Sequence, residues 1–158
     1  MIRRMLAVTI LLFAAQALSA QTVSVELWWT GEGRESLSAC ILNGAMDALF
    51  DAGYIATNES GRQADQAAFR AYVPEPAASE GYVDYVVLAL AVYASGDGDE
   101  ARPPLLSYRV LAVATGTELA SGELVAPEPE DEGADAVQAA CRGLGKALIE
   151  RCVAAVRG

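Results

Sequence analysis

Histidine is absent from this 158-residue chain, and cysteine is scarce, with three. Without histidine there is no Ser-His-Asp or Cys-His catalysis and no metal site with an imidazole ligand. A cysteine nucleophile is disfavoured on the same ground, since no imidazole is present to draw off its proton. Basic residues are also few: 11 Lys and Arg stand against 21 Asp and Glu, for a formal net charge of −10. A surface of that sign repels phosphates, which argues against nucleic acid and anionic membrane headgroups as partners. Nor does any apolar run in the body of the chain approach the ~20 residues of a membrane-spanning helix.

What is present begins with an address. Arg3 and Arg4 form a basic n-region, Leu6 to Phe13 an apolar h-region, and Leu18-Ser19-Ala20 a small-residue cleavage site, so residues 1–20 read as a signal peptide. A cut after Ala17 is the competing site. No cysteine follows either site, and lipid attachment needs one at the first mature position, so the chain is expected to be periplasmic or secreted and not lipid-anchored. Residues 21–158 are then one domain, large enough for a core without disulfides. Losing Arg3 and Arg4 leaves 9 basic against 21 acidic residues, a net charge of −12.

The stretch YVDYVVLALAVYA, from Tyr82 to Ala94, is the most continuously apolar and β-branched part of this body and is expected to be the central strand, covered on both faces. Before it, Thr22 to Thr30 alternates with period two. Val23, Val25, Leu27 and Trp29 take the core face; Glu26, Trp28 and Thr30 take the other. Two adjacent tryptophans cannot share a face. Trp28 therefore lies either under a loop or neighbouring strand, or exposed as an anchor for a partner, with Glu26 and Thr30 beside it. Gly31-Glu32-Gly33 then turns into a helix from Glu35 to Ala52, stopped by Gly53. A nucleotide-binding loop is not expected there, because Ser36 replaces a third glycine and Glu32 and Glu35 put negative charge where phosphate would sit.

Tyr54 to Asn58 completes a β-α-β unit, Arg62 to Tyr72 is a short helix with Ala64, Ala68 and Phe69 inward, and Pro74-Glu75-Pro76 ends it. The turn from Ser95 to Glu100 has alternate acidic residues but lacks the sixth-place glycine and twelfth-place glutamate of a calcium loop, so no metal is expected. Leu105 to Ala114 and Glu118 to Ala126 return as strands joined by Thr115-Gly116, making an antiparallel meander. Pro127 to Asp135 is an acidic linker, and Ala134 to about Arg157 is a long helix with Val137, Cys141, Leu144, Leu148, Cys152 and Val156 on one stripe. Gly143 and Gly145 interrupt that helix, and Ala39, Cys40, Gly44 and Ala48 give the first helix a similar small-residue face. The two long helices are expected side by side on one face of the sheet.

The fold class expected is therefore α/β, with a single mixed sheet of about five strands. Cys141 and Cys152, eleven residues apart on one helix, are separated by about 16 Å and cannot pair. Cys40 could meet one of them only if the long helices present facing positions. Otherwise the three thiols serve as small hydrophobes in alanine-rich stripes.

The hairpin Tyr108 to Gly122, with its Thr115-Gly116 turn, resembles the strand-turn-strand of bacterial envelope proteins sharing the TolB amino-terminal-like fold, among them the curli secretion channel protein and the activators of penicillin-binding proteins. The order of elements around it is similar too. The resemblance implies a periplasmic, non-catalytic domain working through protein contacts, with an envelope protein or with a second copy of itself. A small-ligand-binding protein is the alternative, and a carboxylate-dependent hydrolase a second one, although no Asp/Glu pair is identifiable from spacing. No catalytic residue and no cofactor are expected.

Overall fold

Strand β4, Tyr85–Val92, occupies the middle of a six-stranded sheet and is buried from Val86 to Ala91, as its unbroken apolar sequence requires. The computed structural model describes residues 21–74, 83–94, 102–126, 128–129 and 133–157. Residues 1–20, where a signal peptide is expected, Glu75 and Pro76, Tyr82, the acidic turn at 95–100 and residues 127 and 130–132 of the linker lie outside the described residues.

Strand β1, Thr22–Trp29, runs parallel to β4 in the register Val23 to Tyr85 through Trp29 to Ala91. On its other edge it pairs in parallel with β2, Ile55–Asn58, and then with the two-residue β3, Arg62–Gln63. β5, Leu105–Ala112, and β6, Thr117–Val125, continue the sheet antiparallel beyond β4, giving the order β2-β1-β4-β5-β6. Their connection is the expected tight turn, with Gly116 at φ +66°, and a bulge shifts the register between Val110 and Leu111. Six strands form where about five are expected, because β3 is too short to carry a period.

Helix α1, Glu35–Asp51, follows β1, and Gly53 ends it in the left-handed region at φ +83°. Helix α3, Ala134–Arg157, follows β6. β1 and β6 point the same way, so the two helices leave the same end of the sheet and run parallel; at their far ends Arg157 stacks 6.0 Å from the Tyr54 ring. Their inner faces bury Leu37, Ile41, Ala45 and Leu49 against Val137, Cys141, Leu144, Leu148 and Cys152, over Val25, Leu27, Val87, Ala89, Leu106 and Val110 of the sheet.

Small residues set how closely the helices approach. A Cβ on Gly44 would lie 2.0 Å from the Arg142 carbonyl oxygen, and one on Gly145 would lie 2.0 Å from the Ile41 carbonyl oxygen. Gly143, expected to share this packing role, has nothing within 4 Å and is exposed. The 3.6-residue period puts only one of the two glycines on the seam.

Candidate functional site

Among the described residues, a strap covers part of the second face of the sheet. Glu26 and Trp28 project from β1 onto this face, beside Leu88 and Leu90 of β4 and Leu111 of β5. After β2 the chain passes close over the sheet edge at Gly61, where a Cβ would meet the Trp29 ring at 2.5 Å, and Ala64 donates its N–H to the Trp29 carbonyl at 2.9 Å. It then crosses the face as helix α2, Gln66–Ala71. This helix is shorter than the expected span from Arg62, because the Asp65 carboxylate accepts the Ala68 N–H at 2.7 Å and fixes the start there. Ala68 is exposed, and Phe69 alone on the helix is buried.

An accessible Trp28 does not follow. The ring is 3% exposed, meets Tyr72 edge-on at 5.4 Å and 88°, and carries the Arg62 guanidinium 3.9 Å over its face. Trp29, on the helix side, is the more accessible of the two and only half-buried. The alternation assigned the faces correctly, and the strap is what covers the indole. Glu26 is buried as well and accepts a hydrogen bond from the Tyr72 hydroxyl. Thr30 extends the β1–β4 pairing: its N–H donates to the Ala91 carbonyl at 3.0 Å and its hydroxyl accepts the Tyr93 N–H at 3.2 Å. Of the candidate trio, Trp28 and Glu26 are therefore covered by the chain itself, while Thr30 is half-buried.

Electrostatics follow from this burial. Desolvation raises the Glu26 pKa, and Glu59 adds to the effect; the Tyr72 hydroxyl, Arg62 and the Trp28 indole oppose it. Desolvation, and then the bond to Glu26, likewise push the Tyr72 phenol up. Because the folded pKa of Glu26 lies above the unfolded one, its contribution to stability is full below the unfolded value and is lost as pH rises through the folded value. Glu26→Gln retains an acceptor for Tyr72 and removes the buried charge. Wild type is thus expected to gain stability relative to Glu26→Gln as pH falls from about 7 toward the ordinary glutamate range near about 4.3. Urea unfolding of both proteins across that range measures it, and a pH-independent difference would show that the carboxylate is not desolvated.

Arg109 of β5 is the residue that sequence reading missed. Its Nη1 donates to the carbonyl oxygens of Phe69 at 3.0 Å, Arg70 at 3.3 Å and Tyr72 at 3.0 Å, closing the C-terminal end of α2, while Nε donates to Glu118 at 2.7 Å. Hydrogen bonds from Ser121 and Arg109 hold the Glu118 carboxyl below its usual range. One signal was available: an arginine in the middle of an apolar strand needs acceptors. Between α2 and the outer strands lies an open cleft of about 370 Å³, lined by Gln66, Arg70, Ser107, Arg109, Ser121 and Glu123 among others.

A mixed sheet with a β-α-β start, an antiparallel meander and two long helices on one face is a fold this chain shares with solved bacterial proteins, a likeness of fold alone. The structures sharing it are distant in sequence. A DUF330 protein from Xanthomonas campestris is matched at TM-score 0.52 and 11% identity over 87% of each chain. The lipoprotein GNA1162 from Neisseria meningitidis is matched at TM-score 0.50 and 15% identity, over 87% of this chain and 98% of that one. TolB from Acinetobacter baumannii is matched at TM-score 0.47 and 13% identity over 87% of this chain, which spans 28% of the TolB chain. No family model and no curated protein matches the chain.

Proposed function

We propose that the protein is an exported envelope domain that has no catalytic activity of its own and works by binding an extended segment of another envelope protein. The observation that carries this reading is the β6 edge. β6 is nine residues long, stands at the end of the sheet path and has no further strand beside it among the described residues, and Leu119 and Val125 on it are 41% and 77% exposed. An open strand edge with apolar side chains supplies main-chain hydrogen bonds and side-chain contacts to an added strand. The acidic balance of the chain favours a basic segment. Export is supported by the n-, h- and c-regions within residues 1–20, and a lipoprotein of the same fold is in keeping with an envelope setting. The non-catalytic reading is supported by Glu26, the one buried carboxylate among the described residues, which is committed to Tyr72.

A photo-cross-linking residue placed at Glu123 tests this in cells. It is expected to capture a second protein in the envelope fraction, and the pair Leu119→Lys and Val125→Lys is expected to abolish capture with the melting temperature nearly unchanged. Capture of another copy alone would make β6 a self-association edge. The cleft beneath Arg70 and Arg109 favours a second reading, a site for a small polar ligand. A thermal shift with muropeptides, absent in Arg70→Ala, together with no cross-link from Glu123, would establish that one instead.

A further inference from the structure

We propose that Cys40 and Cys141 are a disulfide pair, joined across the two long helices when the chain meets a disulfide oxidant. All three cysteines are free thiols in the structure, with Cys40 half-buried and Cys141 and Cys152 buried. The helix crossing is locally two-fold. Gly44 faces the carbonyl of Arg142, three residues before Gly145; Gly145 faces the carbonyl of Ile41, three residues before Gly44. This reciprocity makes Gly44 and Gly145 equivalent positions on the two helices. Cys40 and Cys141 each lie four residues before their glycine, so they are equivalent too, about one turn or ~6 Å up the same seam. Because the helices run parallel, both displacements go the same way and the two cysteines stay opposite.

Glycine at the crossing brings the axes closer than the usual ~8–10 Å. A disulfide needs that approach, since its Cα atoms stand about 5.5–6 Å apart. The proximity has an electrostatic counterpart: burial first, and then charge on Cys40, push the Cys141 thiol up to about 11. Cys152 is excluded as a partner for Cys141 by about 16 Å of helix, and it lies about three turns below Cys40 on the same seam. The expectation that all three thiols are merely small apolar side chains then holds for Cys152 alone.

The reaction is thiol-disulfide exchange with an oxidised carrier, such as oxidised glutathione or a disulfide oxidoreductase. The more accessible Cys40, as thiolate, attacks the carrier's disulfide, forming a mixed disulfide and releasing one carrier thiolate. The Cys141 thiolate then attacks the Cys40 sulfur and releases the second. The two protein thiols lose two protons and two electrons, and the carrier disulfide becomes two thiols. The pairing rests on helix geometry alone; its occurrence in cells rests also on the export proposed above.

The experiment incubates the purified, reduced chain with oxidised glutathione, unfolds it, labels remaining thiols with a maleimide and maps peptides without reduction. One labelled cysteine, Cys152, is expected, with a linked peptide pair containing Cys40 and Cys141. The oxidised chain should melt higher than the reduced one. Cys40→Ser and Cys141→Ser should each lose both the linked pair and the rise, and Cys152→Ser should keep them. Three labelled thiols, a stable glutathione adduct on Cys40 or a bridge between two chains would overturn the proposal. If the purified protein forms the bridge but chains trapped by alkylation from cells are reduced, the pair stands and the export reading fails.

Discussion

Gly145→Ala is expected to destabilise the protein by about 3 kcal/mol, while Gly143→Ala, two residues away on the same helix, stabilises it by about 1 kcal/mol. Both substitutions gain the same helix propensity. They differ in what the new methyl meets: at Gly145 the Ile41 carbonyl oxygen at 2.0 Å and the Ala45 nitrogen at 2.8 Å, at Gly143 open space. The atoms at Gly145 are backbone of a buried helix, so no rotamer change relieves the contact and α1 must move off α3. Gly44→Ala should behave like Gly145→Ala, since it meets the Arg142 carbonyl at the same 2.0 Å. Urea midpoints of the three variants decide it, and equal effects at 143 and 145 would mean that the helices are not in van der Waals contact at the seam.

Trp28→Ala is expected to cost about 3–5 kcal/mol, as for other buried large-to-small aromatic changes. The loss includes the edge-on contact with Tyr72, the cation-π contact with Arg62 and the lid over Leu88 and Leu90. Trp29→Ala should cost less, because that ring is only half-buried. Trp28→Phe should recover part of the difference by keeping an aromatic edge for Tyr72. Thermal melts of the three variants test the ranking; a Trp28→Ala protein as stable as wild type would show that the strap does not rest on the indole.

Why Trp28 reads differently in sequence and in structure is a matter of range. The period of two from Val23 to Trp29 placed each side chain on the correct face, because pleating is a local property of a strand. What covers the second face is not local. Residues 62–72 reach it through Arg109, a contact spanning about forty residues that no periodicity encodes. The long helices, the central strand and the Thr115-Gly116 hairpin were legible for the opposite reason, since their signals are repeated over many residues or concentrated in one turn. Gly143 and Gly145 fell between: the period places the seam only to within a residue or two, and adjacent glycines straddle that margin. Of the site, Glu26 and Trp28 were singled out for the correct face, with cover by a loop and exposure both open for Trp28 and the first of these found, and Arg109 was not singled out at all.

The glycine seam also bears on the order in which the molecule can be completed. Gly44 lies in the first third of the sequence and Gly145 a hundred and one residues later, whereas β1 finds one parallel partner early, in β2, and a second in β4. Among the described residues no hairpin anchors β1, and α3 is the helix that covers the small-residue stripe of α1. During synthesis, at about 5–20 residues per second, β1 can pair with β2 and β4 before the last helix is made, but the small-residue face of α1 stays uncovered until α3 arrives. The helix side of the core is thus completed only by the last element of the chain.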